Sequence, residues 1–446
     1  MSFIVRYVGL DVHKRVVEVC ILDATGKVLH RERFELNRDT LLDFAKTKLT
    51  PHDHVALEAT TNCWVVARLL RPFVAEVVVS NPLVTKAIAE AKVKTDKVDA
   101  LVLAQLLRCD FLPRVWQPDE ATSLLRELTS RRTALVQDRT AVRNRIHSLL
   151  AVRLIVVPFD ALFGSSGRAW LEALDEKQLD SQGRLLLDAD LRQHDALERE
   201  IDGLEDELAR RGYSDARVKL LMTLPGVNLT VATTLLAALG DVSRFRDGDH
   251  AASYLGLVPR TRQSADRSYH GPITKAGNSH GRWCMIQAAH CVTRHPGPLG
   301  YFFKKLAKRK NYNVAVVATA RKLVVIAWHM LTHNEPYRYA VPRSTEAKLS
   351  TLRVRATGAK RKSGPNRGEK SVAKLPGGGR TVKSLPRVCR EEGLPDPQPL
   401  RPGERRMITD AGLDEFIAGL ASDHVIPRRK TARKTTPTGE APTPTS

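Results

Sequence analysis

The opening 36 residues constrain the fold more tightly than any later stretch. Val5–Asp11 and Val16–Leu22 are apolar, β-branched runs. Val28–Leu36 alternates between apolar and polar, and Asp23-Ala24-Thr25-Gly26 between the last two runs is a turn signal. Connections this short leave room only for antiparallel pairing, because a parallel partner needs a long crossover. The pattern then changes. Leu41–Leu49 reads as a short amphipathic helix, Val55–Glu58 as a buried strand and Asn62–Leu70 as a helix. Glu76–Ser80 is another apolar strand, halted at Asn81-Pro82. Asp96–Leu107 is a helix whose Val98, Leu101, Val102 and Leu106 share a face.

Three antiparallel strands followed by alternating helices and strands predict an α/β domain of RNase-H type. Carboxylates punctuate it. Asp11 closes the first apolar run and Glu58 closes the fourth strand, while Asp96 and Asp99 stand three apart at the mouth of the last helix. Each has an ordinary explanation, since an Asp at a strand end serves turns and acidic residues suit a helix N-terminus. Together they make a different set. A charge at a partly buried strand end is costly unless compensated, and a divalent cation would compensate. Two carboxylates at strand ends and two on one helix face could hold a pair of Mg²⁺ ions, which clamp the attacking and leaving oxygens of a phosphodiester.

The charge balance points the same way. A net +22, with a pI of about 10.0, favours a polyanionic partner, and nucleic acid is the default. The expected rival, a membrane surface, is weakened by the lack of an uninterrupted apolar run near the ~18 residues a span requires. There is no basic region followed by an apolar one at the start, so no signal peptide is expected. The six cysteines are scattered without a CxxC pair and read as reduced thiols of a cytoplasmic protein.

Four segments follow from the texture of the chain: residues 1–115, 116–212, 213–342 and 343–446. The second is long, charged and helical. Its first half carries Arg131, Arg132, Arg139, Arg143 and Arg145, and its second half, Leu185–Leu208, repeats leucines at helical spacing. A helical arm acting only as a spacer is the plain reading. Backbone contacts to DNA or RNA through the arginines are compatible with it. The third segment reads as a compact helical domain in which Leu224-Pro225-Gly226-Val227 separates two helices, a turn able to aim N–H groups at a phosphate. The fourth, with Lys360-Arg361-Lys362, Gly377-Gly378-Gly379 and many prolines, reads as a largely disordered basic tail holding at most a short helix at Asp414–Leu420.

A second candidate site is Ser264. It lies in a polar stretch, read as a loop, between Leu255-Gly256-Leu257 and Gly271, with Arg260, Arg262, Arg267 and Lys275 around it. Cations near a hydroxyl could position a phosphate and ease alkoxide formation. A loop serine is ordinary, so the residues leave its role open, with Ser268 as a local rival. Cys284, His290, Cys291 and His295 cluster in sequence, as do His329 and His333, but no established zinc spacing is met.

Several of these stretches, in order, resemble one family. Gly9-Leu10-Asp11-Val12-His13-Lys14, the Glu58 strand end, and Lys94-Thr95-Asp96-Lys97-Val98-Asp99-Ala100 resemble the DEDD motif of the transposases of insertion-sequence family 110. So do Leu224-Pro225-Gly226-Val227, Tyr254-Leu255-Gly256-Leu257-Val258-Pro259, and Gly271-Pro272-Ile273-Thr274-Lys275-Ala276-Gly277-Asn278-Ser279-His280, the last closest to the 1111 subgroup. The resemblance covers about residues 5–340. It implies a RuvC-like, RNase-H-fold domain holding Mg²⁺ on Asp11, Glu58, Asp96 and Asp99. It also implies a coiled-coil arm and a mainly α transposase domain with Ser264 as a nucleophile that forms a phosphoserine–DNA link. As partners it implies DNA at element ends and target, a structured guide RNA encoded by the element, and further copies of the chain in a tetramer or dimer of dimers. The usual surroundings of the serine resemble Ser-Ser-Gly-Gly; here they are Gln263-Ser264-Ala265-Asp266. Two alternatives stay open: a Mg²⁺-dependent junction-resolving nuclease that hydrolyses without the serine, and a non-catalytic basic nucleic-acid-binding protein.

Overall fold

The computed structural model describes residues 5–88, 95–175, 177–264, 267–359 and 380–426. Its contacts divide the chain between Asp119 and Glu120 into two compact units.

The first unit holds β1 (Arg6–Val12), β2 (Val16–Leu22), β3 (Val28–Glu35), α1 (Arg38–Lys48), β4 (Asp53–Glu58), α2 (Cys63–Leu70), β5 (Glu76–Ser80), α3 (Pro82–Ile88) and α4 (Asp96–Arg108). The strands form one sheet in the order β3-β2-β1-β4-β5. β1 to β3 pair antiparallel, as the short connections require, whereas β1, β4 and β5 run parallel. Asn37 starts α1 with reciprocal bonds: its side chain accepts from the Thr40 N–H at 2.9 Å, and its own N–H donates to Thr40 Oγ1 at 3.2 Å.

The sheet is covered on both faces. Val8, Leu10, Val12, Val17, Val19, Ile21, Val55 and Leu57 are buried against Leu41, Phe44, Val66, Ala67 and Leu70 of α1 and α2. Alternation puts Gly9 and Asp11 of β1 and Ala56 and Glu58 of β4 on the opposite face. There α4 lies, burying Ala100, Leu103, Ala104 and Leu107 beside Cys20, Leu22, Ala56 and Val78. Gly9 permits this seat. A methyl group there would overlap the Ala100 carbonyl oxygen and stand 2.7 Å from the Ala104 amide nitrogen.

The second unit begins with a long antiparallel helix pair, α5 (Glu120–Ala151) and, after α6 (Ser165–Ala173), α7 (Ser181–Ser214). Its direction is evident from its ion pairs, since Arg132 meets Glu205, Arg139 and Arg143 meet Glu198, and Arg145 meets Asp190. Beyond it come α8 (Ala216–Leu221), α9 (Leu229–Leu239), α10 (Gly248–Tyr254), the strands β6 (Pro259–Ser264) and β7 (Arg267–Ile273), α11 (Ser279–Val292), α12 (Pro298–Ala307) and α13 (Tyr312–His333). α13 is long and apolar enough to cross a membrane by length and composition. Here it buries Ala315, Val316, Ala320, Leu323, Val324 and Ala327 in the core of this unit.

Two expectations need correction. The polar stretch around Ser264 is an antiparallel hairpin, with Arg262 facing Tyr269 and Ser264 facing Arg267 in register. Ala265 and Asp266, between its strands, lie outside the described residues. The chain also does not lose its core at residue 343. α14 (Pro342–Thr357), β8 (Arg380–Val382), α15 (Leu385–Glu391), α16 (Pro402–Asp410), α17 (Asp414–Ala421) and β9 (His424–Ile426) follow. Leu349, Leu352, Leu385, Cys389, Leu394, Ile408 and Leu420 are buried in the same core as α9 and α13. Sparse apolar residues among many charges suffice when a preformed surface receives them. The expected disorder of 360–379 and 427–446 falls outside the described residues.

Candidate functional site

The sheet topology sets the carboxylates side by side. Parallel pairing aligns Leu10 with Leu57, so Asp11 and Glu58, each one residue on, occupy neighbouring positions on the α4-facing side. α4 begins at Asp96, where Thr95 accepts from the Val98 N–H, and both Asp96 and Asp99 fall in its first turn. Ala100, pressed onto Gly9, is one turn from Asp96. The close approach that Gly9 allows therefore carries the acidic end of the helix to the acidic end of β1.

Ligand atoms of Asp11, His13 and Asp96 all lie within 4.8 Å of one another. His13 Nε2 is 3.1 Å from Asp11 Oδ2 and 3.4 Å from Asp96 Oδ1. The Asp11 side chain is only 15% exposed. Its carboxyl is raised above the ordinary range, first by burial and further by the charges of Asp96 and Asp99, with His13 acting in the opposite sense. A desolvated carboxylate crowded by like charges fits a divalent cation, which would remove both penalties. Glu58 ends β4 opposite Ser80 in register. The oxygen-rich donor set suits Mg²⁺ or a similar hard cation. His13 is the residue that sequence reading passed over; the signal available was its place two residues beyond Asp11.

The second unit holds the other predicted residues. Ser264 closes β6, opposite Arg267 in register. Its side chain and those of Arg262 and Arg267 lie outside the description. The base of the hairpin is pinned: Thr274 N–H donates to Val258 O at 2.9 Å and Lys275 N–H to Gly256 O at 3.2 Å. Gly277, at φ +78°, lies so close to the Tyr254 carbonyl that no side chain fits. Arg260 and Lys275 are exposed at this base.

The arm arginines separate into two kinds. Arg132 donates to Glu205 at 2.6 and 3.0 Å, and Arg139 and Arg143 each reach Glu198 at 2.8 Å. Arg143 also lies over the Phe163 ring at 4.9 Å. These three fasten α5 to α7, whereas Arg131 is exposed. The Leu224–Val227 turn, expected to face a phosphate, offers two carbonyls inward: Lys348 Nζ of α14 donates to Leu224 O at 2.7 Å and to Val227 O at 2.9 Å. Burial of Lys348 depresses its ammonium to about 7.

Comparison with known proteins matches two family models. One, for DEDD transposases of the IS110 type and described as "Transposase", spans residues 8–153; the other, "Transposase IS116/IS110/IS902 family", spans 218–303. The chain is 29% identical over 351 residues to the probable family 20 transposase of Pseudomonas aeruginosa, covering 74% of this chain and 98% of the relative. It is 25% identical over 340 residues to the transposase for insertion sequence element IS1111A of Coxiella burnetii, covering 75% of this chain and 92% of the relative. It is also 25% identical over 348 residues to the pilin gene-inverting protein of Moraxella bovis, covering 74% and 97% respectively.

Proposed function

Because the chain belongs to the IS116/IS110/IS902 family of transposases, and so is a DNA transposase or recombinase, we propose that it cleaves and rejoins DNA through Ser264 with Mg²⁺ held on Asp11, Glu58, Asp96 and Asp99. The observation that carries this reading is the meeting of Asp11 and Asp96 on the α4-facing side of the sheet, where Glu58 neighbours Asp11 in register. The order β3-β2-β1-β4-β5, antiparallel then parallel, supports an RNase-H-like, RuvC-type assignment for the first unit. The seven-residue interval from Arg132 to Arg139, matched by that from Glu198 to Glu205, supports a coiled-coil arm.

When bound, Mg²⁺ supplies charge to stabilise the pentacoordinate phosphorus. Ser264 Oγ attacks phosphorus and loses its proton. The Oγ–P bond forms as the P–O bond to the leaving sugar oxygen breaks, and that oxygen takes up a proton as a free hydroxyl. The phosphoserine keeps the energy of the phosphodiester, so a second hydroxyl can displace the serine and reseal the strand. Arg260, Arg262, Arg267 and Lys275 on the hairpin and Arg131 on the arm are the cations assigned to backbone phosphates. The net charge of +22 supports two polyanions at once, the DNA and a structured guide RNA. A tetramer, or dimer of dimers, is the assembly proposed.

The test is a denaturing gel of end-labelled DNA incubated with protein, guide RNA and Mg²⁺. A protease-sensitive shifted band is expected with wild type. Ser264→Ala should lose band and cleavage together, Ser268→Ala should keep both, and Asp11→Asn should lose cleavage while still binding RNA. Cleavage by Ser264→Ala without an adduct would replace this reading with hydrolysis.

A further inference from the structure

We infer that His13 is a nitrogen donor of the same cation site, giving it a mixed imidazole–carboxylate character that favours Mn²⁺ over Mg²⁺. This rests on the metal reading above and specifies which ion the site prefers.

The placement is built into the hairpin between β1 and β2. His13 follows the last residue of β1 and is two residues beyond Asp11, so both side chains leave the same side of the chain. Its N–H donates to Val16 O at 2.9 Å, closing the turn, and Asn62 Nδ2 approaches its carbonyl at 3.5 Å. The backbone is therefore tied to β2 on one side and to the start of α2 on the other.

The distances suit shared coordination as well as a hydrogen bond. A hydrogen bond joins Nε2 to Asp11 Oδ2 at 3.1 Å, but Asp96 Oδ1 also stands 3.4 Å from the same nitrogen. One ring N–H points at one oxygen, so it cannot satisfy both carboxylates. A cation seated among the three atoms does. Adjacent donors around an ion with bonds of about 2.1 Å are about 3.0 Å apart, and opposed donors about 4.2 Å. The separations of 3.1 and 3.4 Å resemble adjacent positions. The His13 side chain is 47% exposed and Asp96 equally so, which leaves the site open to an ion from solvent.

The chemistry of the donor gives the preference. Carboxylates alone serve Mg²⁺ well, whereas imidazole binds first-row transition ions more strongly than it binds Mg²⁺. Removing the imidazole should therefore weaken Mn²⁺ binding selectively.

The experiment uses the full chain without DNA, at pH 8. Mn²⁺ and Mg²⁺ affinities are measured by calorimetry, and ¹⁴N coupling to bound Mn²⁺ by pulsed electron paramagnetic resonance. Wild type should show imidazole ¹⁴N modulation. His13→Ala should abolish it and weaken Mn²⁺ about tenfold or more, the lower end of what even an outer-sphere partner contributes, while Mg²⁺ weakens less than about threefold. His13→Gln, which keeps the bulk and a donor, should behave as Ala does, so a folding defect in one variant leaves the other decisive. Retained ¹⁴N modulation in both variants, or tighter Mn²⁺ binding on losing the ring, would overturn the proposal. Asp11→Asn separates the two readings. If it binds Mn²⁺ as wild type does, the cation site itself is misassigned. If it loses Mn²⁺ while wild type shows no ¹⁴N modulation, only the role of His13 falls.

Discussion

Gly9→Ala tests how the fold builds the site, because it adds one methyl where α4 sits on β1. That methyl would overlap the Ala100 carbonyl oxygen and stand 2.7 Å from the Ala104 nitrogen. Both are backbone atoms, so no change of rotamer relieves the clash. Comfortable contact is about 3.5 Å, which requires α4 to retreat about 0.8 Å at Ala104 and further at Ala100. Overpacking of this kind costs ~1–3 kcal/mol, and the lack of a side-chain escape places Gly9→Ala near the upper end. A retreat of this size also moves Asp99, next to Ala100, and Asp96, one turn before it, relative to Asp11. Misplacing reacting groups by about 1 Å can cost about 10²-fold in rate. Urea unfolding should show a lowered midpoint with a cooperative transition retained, and DNA cleavage at saturating Mg²⁺ should fall about a hundredfold. Gly203→Ala is the control: it lies within α7 with nothing within 4 Å of the added methyl, and it should stabilise by roughly 0.5–1 kcal/mol. A Gly9→Ala protein with the wild-type midpoint would refute the close-approach argument. One that unfolds early yet cleaves at the wild-type rate would refute the link between the helix seat and the carboxylates.

Three further outcomes are expected. Burial lowers the Lys348 ammonium from 10.5 to about 7, so the unfolded chain binds that proton more readily between these values. Its contribution to stability therefore grows as pH rises through that window, and Lys348→Met should flatten the pH dependence of thermal unfolding there; equal slopes for the two proteins would contradict it. Arg131→Ala should reduce the salt dependence of DNA or RNA binding by about one phosphate contact, while Arg132→Ala and Arg139→Ala should leave that slope alone and instead lower the melting temperature, since their partners are Glu205 and Glu198. Truncation after residue 426 should leave the unfolding transition intact, whereas truncation after residue 341 should yield aggregating protein, because it strips Leu349, Leu352, Leu385, Cys389, Ile408 and Leu420 from the core.

What the sequence disclosed depended on how local its cause was. The strands of the first unit follow from alternation within a few residues, and Asp11, Glu58, Asp96 and Asp99 stand out as candidates because each marks an end of such an element. His13 was not, since its meaning arises only when α4 swings Asp96 over β1. The serine hairpin was hidden for a related reason. Pro259–Ser264 and Arg267–Ile273 are polar, and cross-strand pairing makes them strands. Past residue 343 the averaged composition is that of a disordered segment, but Leu385, Cys389 and Leu394 need only a receiving surface, and they join the buried core of the second unit with α15 packed on α14 and α17. The arm shows the limit most plainly. Taken alone, Arg131–Arg145 is a basic stripe suited to a phosphate backbone. Asp190, Glu198 and Glu205 lie 45, 59 and 73 residues from their partners, and only the antiparallel return of α7 sets them against Arg145, Arg139 and Arg132. A charge stripe on one helix therefore predicts a polyanion only after the opposing helix has been subtracted, and in this chain the subtraction leaves Arg131 exposed while its neighbours hold the arm together.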